Sequence, residues 1–174
     1  DGCSCVLGAL LLKQQPAGTV PHAAFLIVGD SVKLARAYDQ FVTPGEPRII
    51  LVDTFKDEAE EALRVARALG DKLSAIRLDT PSERGGVTPA LVREVRARLD
   101  QAGYTRVQIV VSGGLDPERI SKLADAGADS FGVGSYISRA PGIDMTLDLK
   151  EIQGEAVAKR GRIPGLTENP RLVK

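Results

Sequence analysis

The sequence predicts an α/β fold built on a parallel sheet: about four to five βα units, amounting to part of a (β/α) barrel or to an open sheet. Three observations carry this. Short apolar runs stop abruptly at polar or glycine residues: Ile49 to Val52 before Asp53, Leu73 to Leu78 before Asp79, Val107 to Val111 before Ser112-Gly113-Gly114, and Ser130 to Val133 before Gly134. Runs of this length and boundary read as buried parallel strands. Segments of helical spacing separate them. Finally, four to five such units in 174 residues make about half of a closed eight-stranded barrel, which takes roughly 250 residues.

In chain order, Ser4 to Gln14 reads as a helix that Pro16 to Pro21 breaks. His22 to Val28 is apolar without a decisive period, either a strand or the first turn of a longer helix. From Asp30 onward, Leu34, Ala35, Tyr38, Phe41 and Val42 recur at helical spacing. After the first strand, Ala59, Ala62, Leu63, Ala66 and Leu69 share one helical face, and Gly70 stops the helix. After the second, Thr88-Pro89 is an N-cap followed by proline at the first helical position. Leu91, Val92, Val95 and Leu99 form the buried stripe, with Gly103 past the end. Asp116-Pro117 repeats that start signal; Ile120, Leu123 and Ala124 follow, and Gly127 closes the helix. Strand–helix units of this size imply right-handed crossovers. Residues 1–149 therefore read as one domain. Beyond Lys150 the pattern dissolves, and residues 150–174 carry six basic residues against three acidic.

Composition narrows the function classes. A 43% apolar and 26% charged chain has an ordinary core and surface, which excludes wholesale disorder and collagen-like order. The balance of 23 Lys and Arg against 23 Asp and Glu argues against a general nucleic-acid binder. The longest apolar stretches, Val6 to Leu12 and Ala23 to Val28, are too short to span a bilayer, and the basic flank of a signal peptide is missing. Cys3 and Cys5 are poorly spaced for a disulfide, and no partner residues complete a zinc site. They read as small buried or half-buried thiols, in a reducing, cytoplasmic setting. The first residue is Asp1 and the single Met is Met145, so the expectation is a piece of a longer polypeptide.

In parallel α/β folds ligands bind at the carboxyl ends of the strands. Those ends here read Asp53-Thr54, Arg77-x-Asp79-Thr80, Ser112-Gly113-Gly114 and Gly132-Val133-Gly134-Ser135. Any one is an ordinary strand-end turn; four in succession present a polar surface. Gly113, Gly114, Gly132 and Gly134 let backbone N–H groups approach an anion, and Ser112 and Ser135 add hydroxyls. Asp116 caps the helix after Gly114, so the loop amides rather than the helix end would hold a phosphate. His22 is the only histidine, a residue as suited to a structural role as to acid–base work or phosphoryl acceptance. Asp53 and Asp79 suit ribose hydroxyls, a water-bridged Mg2+ or a developing cation. Arg77, two residues before Asp79, points the same way and suits a carboxylate or phosphate. Glu83-Arg84-Gly85-Gly86 reads as a flexible lid.

Taken in order, Gly-Thr-x-x-His (18–22), Val-Asp-Thr-Phe (52–55), Ile-Arg-Leu-Asp-Thr (76–80), Val-Ser-Gly-Gly-Leu-Asp (111–116), Phe-Gly-Val-Gly-Ser (131–135) and Ala-Lys-Arg-Gly-Arg (158–162) resemble the nicotinate phosphoribosyltransferase family of type II phosphoribosyltransferases. The resemblance runs over nearly the whole chain. It implies a partial (β/α) barrel from the C-terminal portion of an enzyme that joins nicotinate to 5-phosphoribosyl-1-diphosphate. The implied products are nicotinate mononucleotide and diphosphate, with Mg2+ and coupled ATP hydrolysis. By it His22 is the histidine that ATP phosphorylates, and His22 and Asp79 are the catalytic residues. Asp53, Arg77, Thr80 and Arg84 belong to the substrate-binding set; Ser112, Gly113, Gly114, Gly132, Gly134 and Ser135 hold the 5′-phosphate. It also implies an N-terminal domain against which residues 150–174 pack, and a homodimer or higher oligomer. One departure is local: where many members continue with Ser-Gly-Asp, this chain has Thr80-Pro81-Ser82-Glu83-Arg84. Two alternatives stand beside this reading. A quinolinate phosphoribosyltransferase shares the architecture, but it clamps two adjacent carboxylates and needs no phosphorylated histidine. A non-catalytic phosphate-binding barrel piece is the other.

Overall fold

The computed structural model describes residues 2–18 and 20–168. The chain divides into two units, Asp1–Arg139 and Ala140–Lys174. In chain order the first holds α1 (Val6–Leu11), α2 (His22–Val28), α3 (Ser31–Phe41), β1 (Arg48–Leu51), α4 (Glu58–Leu69), β2 (Leu73–Leu78), α5 (Pro89–Gln101), β3 (Gln108–Ser112), α6 (Pro117–Asp125), β4 (Ser130–Gly132) and α7 (Ser135–Ser138). The four strands form one parallel sheet in the order β1-β2-β3-β4. Each strand pairs with its successor in sequence, and a helix intervenes each time, as expected of consecutive βα units.

The apolar runs make the centre of the sheet. Ile50 pairs with Ile76, Ile76 with Ile109, and Val111 with Phe131. Ile50, Val52, Ile76, Leu78, Ile109 and Val111 are fully buried. The helices add Ala62, Val65 and Ala66 from α4, Val92, Val95 and Leu99 from α5, and Leu123 from α6. Side-chain caps fix where each helix starts. Asp57 accepts from the amides of Ala59 and Glu60 at 3.1 and 3.4 Å. Thr88 accepts from Leu91 at 3.2 Å and Asp116 from Arg119 at 2.8 Å. Each satisfies amides that the first turn would otherwise leave without a partner. Pro89 and Pro117 stand at the first helical position, as their sequence context predicts.

Four points depart from expectation. The first helix is shorter than Ser4 to Gln14, because Lys13 takes a left-handed backbone (φ 54°) that ends it. The ambiguous segment from His22 is helical throughout: Phe25 is buried while Leu26 and Ile27 are exposed, the one-sided burial of a helix on a core. The strand at Ser130 stops at Gly132, one residue early. Cys5 is exposed rather than buried, since it precedes α1 at the surface; both thiols are free.

The second unit contains a short antiparallel hairpin, β5 (Glu151–Ile152) and β6 (Glu155–Ala156). Gln153 and Gly154 both have positive φ, 51° and 86°, the backbone of a tight two-residue hairpin turn. Strands of two residues leave no periodicity to read, which is why this stretch looked patternless. The Lys150 carbonyl accepts from Val157 and Gly165, both at 2.9–3.0 Å, and its ammonium donates to the Ile163 carbonyl. Among the described residues no helix is long and apolar enough to cross a membrane.

Candidate active site

Because all four strands run the same way, their carboxyl ends bring Asp53, Asp79, Ser112 to Gly114 and Gly132 to Gly134 to one edge of the sheet. His22 reaches the same place from the first position of α2, where Pro21, in extended backbone, precedes the helix. His22 Nε2 lies 3.0 Å from Asp53 Oδ2, and Nδ1 lies 4.0 Å from Asp79 Oδ2. The His22 ring is 38% exposed, whereas the Asp53 side chain is 2% exposed. A buried carboxyl thus holds one ring nitrogen and leaves the other facing Asp79.

The contacts continue across the sheet. Arg77 donates to Asp79 Oδ2 at 3.0 Å and, through Nε, to the Ser112 hydroxyl at 2.9 Å. Ser112 is buried and its hydroxyl donates to the Leu78 carbonyl at 3.5 Å. Asp53, His22, Asp79, Arg77 and Ser112 therefore form one series drawn from α2 and the ends of β1, β2 and β3. Arg77 and Asp79 are neighbours because alternate residues of a strand share a face. The hydroxyl of Ser112 is engaged with Arg77, so the tertiary structure gives it a partner that the strand-end motif did not indicate.

Burial raises the pKa of Asp53 above its ordinary value, an effect that the hydrogen bond from His22 counters and the nearby charge of Asp79 adds to. Asp53 Oδ1 and Thr54 Oγ1 are buried without a hydrogen-bond partner among the described residues. Unpaired polar atoms are costly. Finding two in adjacent residues at one strand end marks that end as chemically unusual.

The glycine loops sit close to this series. Gly113 has φ 93°, and a Cβ there would stand 2.9 Å from Asp79 Oδ1; both the left-handed backbone and the carboxyl require glycine. A Cβ on Gly132 would come within 3.2 Å of the Ser112 Cβ, whereas Gly134 faces open space. Ser135 opens the four-residue helix α7. Thr80 and Arg84 are brought together elsewhere. The Thr80 hydroxyl donates to Glu58 Oε1 at 2.8 Å, and Arg84 donates to Glu58 Oε2 at 3.3 Å. The expected lid segment is thus tethered, with a 3₁₀ turn over Ser82–Arg84. Thr19 of the Gly-Thr-x-x-His motif lies outside the described residues.

Two residues escaped the sequence reading. Glu58, 2% exposed, follows the cap Asp57 in an acidic run that looks like a favourable first helical turn. Arg119, in the first turn of α6, donates to the carbonyls of Gly113, Gly114 and Val87 at 3.3, 2.7 and 3.3 Å. A surface-facing arginine beside a cap carries no sequence signal for such a role.

No group of three or more His, Cys, Asp or Glu capable of holding a metal occurs among the described residues. The two strand-end carboxyls are engaged by His22 and Arg77. The described residues therefore do not by themselves make a resident Mg2+ site, an ion usually held by one or two carboxylates together with substrate phosphates and water.

The model for the quinolinate phosphoribosyl transferase C-terminal domain matches residues 12–148. Nicotinate phosphoribosyltransferase pncB1 of Mycobacterium tuberculosis is 38% identical over 154 residues, covering 82% of this chain and 33% of that protein. Nicotinate phosphoribosyltransferase pncB2 of the same organism is 33% identical over 151 residues, covering 82% and 31%. The crystal structure of a nicotinate-nucleotide pyrophosphorylase from Pyrococcus furiosus superimposes with a TM-score of 0.79 at 48% identity, covering 95% of this chain and 42% of that one. The chain spans about a third of the length of the curated relatives it matches.

Proposed function

This chain belongs to the quinolinate phosphoribosyl transferase C-terminal domain family of type II phosphoribosyltransferases, and from that premise we propose that it is the barrel part of a nicotinate phosphoribosyltransferase. The reaction breaks the bond from ribose C1 to diphosphate and forms a bond from C1 to the pyridine nitrogen. Nicotinate mononucleotide and diphosphate result, in the synthesis or salvage of NAD. Arg77 and Asp79 meet the pyridine and the ribose, with the Asp79 carboxyl placed to stabilise the positive charge that develops on C1. Asp53 acts through His22. The loop amides at Gly113, Gly114, Gly132 and Gly134, with the Ser135 hydroxyl, receive the 5′-phosphate. Thr80 and Arg84 shape the loop that borders the substrate.

The observation that carries this reading is the His22–Asp53 contact. With Nε2 engaged by a buried carboxyl, Nδ1 is the nitrogen disposed to take a phosphoryl group from ATP as a co-substrate. The phosphoryl bond to ADP breaks as the bond to Nδ1 forms. The enzyme supplied with ATP should acquire an acid-labile phosphate at His22, and His22→Ala should abolish both that label and the coupling of ATP hydrolysis to ribosyl transfer. Unchanged hydrolysis and coupling in the variant would sink the assignment.

Quinolinate as substrate is the second reading, favoured by the family model itself. Its second carboxylate calls for another cation beside Arg77, and Arg84 is engaged by Glu58. That favours the monocarboxylate. Release of CO2 from quinolinate, with no turnover of nicotinate, would reverse the preference. On this reading residues 1–149 are the partial barrel, and residues 150–174 extend from it to pack on an N-terminal domain of the whole enzyme. The enzyme works in the cytoplasm as a homodimer or higher oligomer.

A further inference from the structure

The Arg119 guanidinium joins two loops. From the first turn of α6 it donates to the carbonyls of Gly113 and Gly114 in the β3–α6 loop, and to the carbonyl of Val87 in the β2–α5 loop. Its own amide is fixed by the Asp116 cap at 2.8 Å, so the side chain starts from a set position. Asp116 and Arg119 thus serve the same loop, one through the helix end and the other through its carbonyls.

The consequence follows from peptide geometry. A trans peptide is planar, so the carbonyl of one residue and the N–H of the next point in opposite directions. Drawing the Gly113 carbonyl toward Arg119 turns the Gly114 N–H away from it. Drawing the Gly114 carbonyl the same way does likewise to the Leu115 N–H. No backbone or side-chain acceptor among the described residues takes either N–H. Gly113 and Gly114 hold φ at 93° and 58°, the left-handed backbone that lets both carbonyls turn to one side. The result is two adjacent donors that both turn away from the guanidinium, an arrangement suited to one anionic group.

We propose that Arg119 is a positioning residue that holds the Gly114 and Leu115 amides as the donor pair for the substrate's phosphate group. This rests on the reading above that the β3–α6 loop receives a phosphate, and adds the Leu115 amide and the residue that aims it. Arg119 acts through its fork of donors, not through its charge. A lysine keeps the charge but cannot span three carbonyls from one planar group.

The test is an NMR titration of the 15N-labelled 174-residue chain with ribose 5-phosphate, with ribose as the control, following individual backbone amides. In the unaltered chain the Gly114 and Leu115 amides should shift with ribose 5-phosphate and not with ribose. Arg119→Lys and Arg119→Gln should each weaken the titration by about tenfold, the scale of one lost hydrogen bond to a charged group, while amides of the central strands keep their positions. If Arg119→Lys binds as the unaltered chain does, charge suffices and the proposal fails, with the phosphate reading of the loop intact. If those two amides do not respond in the unaltered chain, the phosphate reading of the loop fails and the proposal falls with it.

Discussion

Asp53 decides how His22 can behave. The carboxyl is buried while the ring it holds is partly open to solvent, so the ring is oriented from beneath. Burial also raises the Asp53 pKa above the ordinary 3.8, which has a definite sign for stability. A carboxyl with a native pKa above its unfolded value favours the native state while protonated. Its contribution is complete below about pH 3.8 and is lost as pH rises through the raised native value. Asp53→Asn should therefore flatten the fall in stability above pH 3.8, as read from denaturant unfolding at stepped pH. The same variant should slow phosphorylation of His22 by about 10- to 100-fold, the scale of one charge-assisted hydrogen bond. Retention of the wild-type rate would mean that Asp53 does not orient the ring.

At the scale of elements, the loop after β2 is held by Glu58 from the start of α4. The bond from Thr80 is buried, whereas Arg84 is 51% exposed. The two contacts should therefore differ in weight. An exposed ion pair contributes under about 1 kcal/mol, while leaving the Thr80 hydroxyl buried without its acceptor costs about 1–3 kcal/mol. Glu58→Ala should lower unfolding free energy by roughly that larger amount, and Glu58→Gln, which keeps an acceptor for Thr80, should recover most of it. Equal losses in the two variants would show that the charge on Arg84 matters more than the buried bond. Within that loop, Glu83-Arg84-Gly85-Gly86 has the sequence of a flexible lid. The tether was hidden because its acceptor lies 22 residues earlier in the chain.

At the scale of the molecule, four parallel strands supply four strand ends, and the chain spans about a third of its curated relatives. Among the described residues the two arginines of the candidate substrate-binding set, Arg77 and Arg84, are each tied to a carboxyl; the departing diphosphate, with its several negative charges, calls for further cations. The 174-residue chain by itself should therefore show no turnover of nicotinate with 5-phosphoribosyl-1-diphosphate. Robust steady-state activity from this polypeptide alone would overturn the view that the diphosphate is held by residues elsewhere in the enzyme.

Local rules wrote much of the fold into the sequence. Asp57, Thr88-Pro89 and Asp116-Pro117 cap their helices through contacts a few residues long, and the runs ending at Leu78 and Val111 are apolar because Ile76, Leu78, Ile109 and Val111 are fully buried in the core. The grouping of polar strand ends followed from parallel topology, since every strand delivers its carboxyl end to the same edge. The pairings within that edge did not follow. His22 with Asp53 spans 31 residues, Arg77 with Ser112 spans 35, and Thr80 with Glu58 spans 22. The sequence by itself determined which residue types stand at the strand ends. Only the tertiary structure decided which of them bond to one another, because hydrogen bonds form between atoms about 3 Å apart in space, a separation that spacing along the chain does not encode.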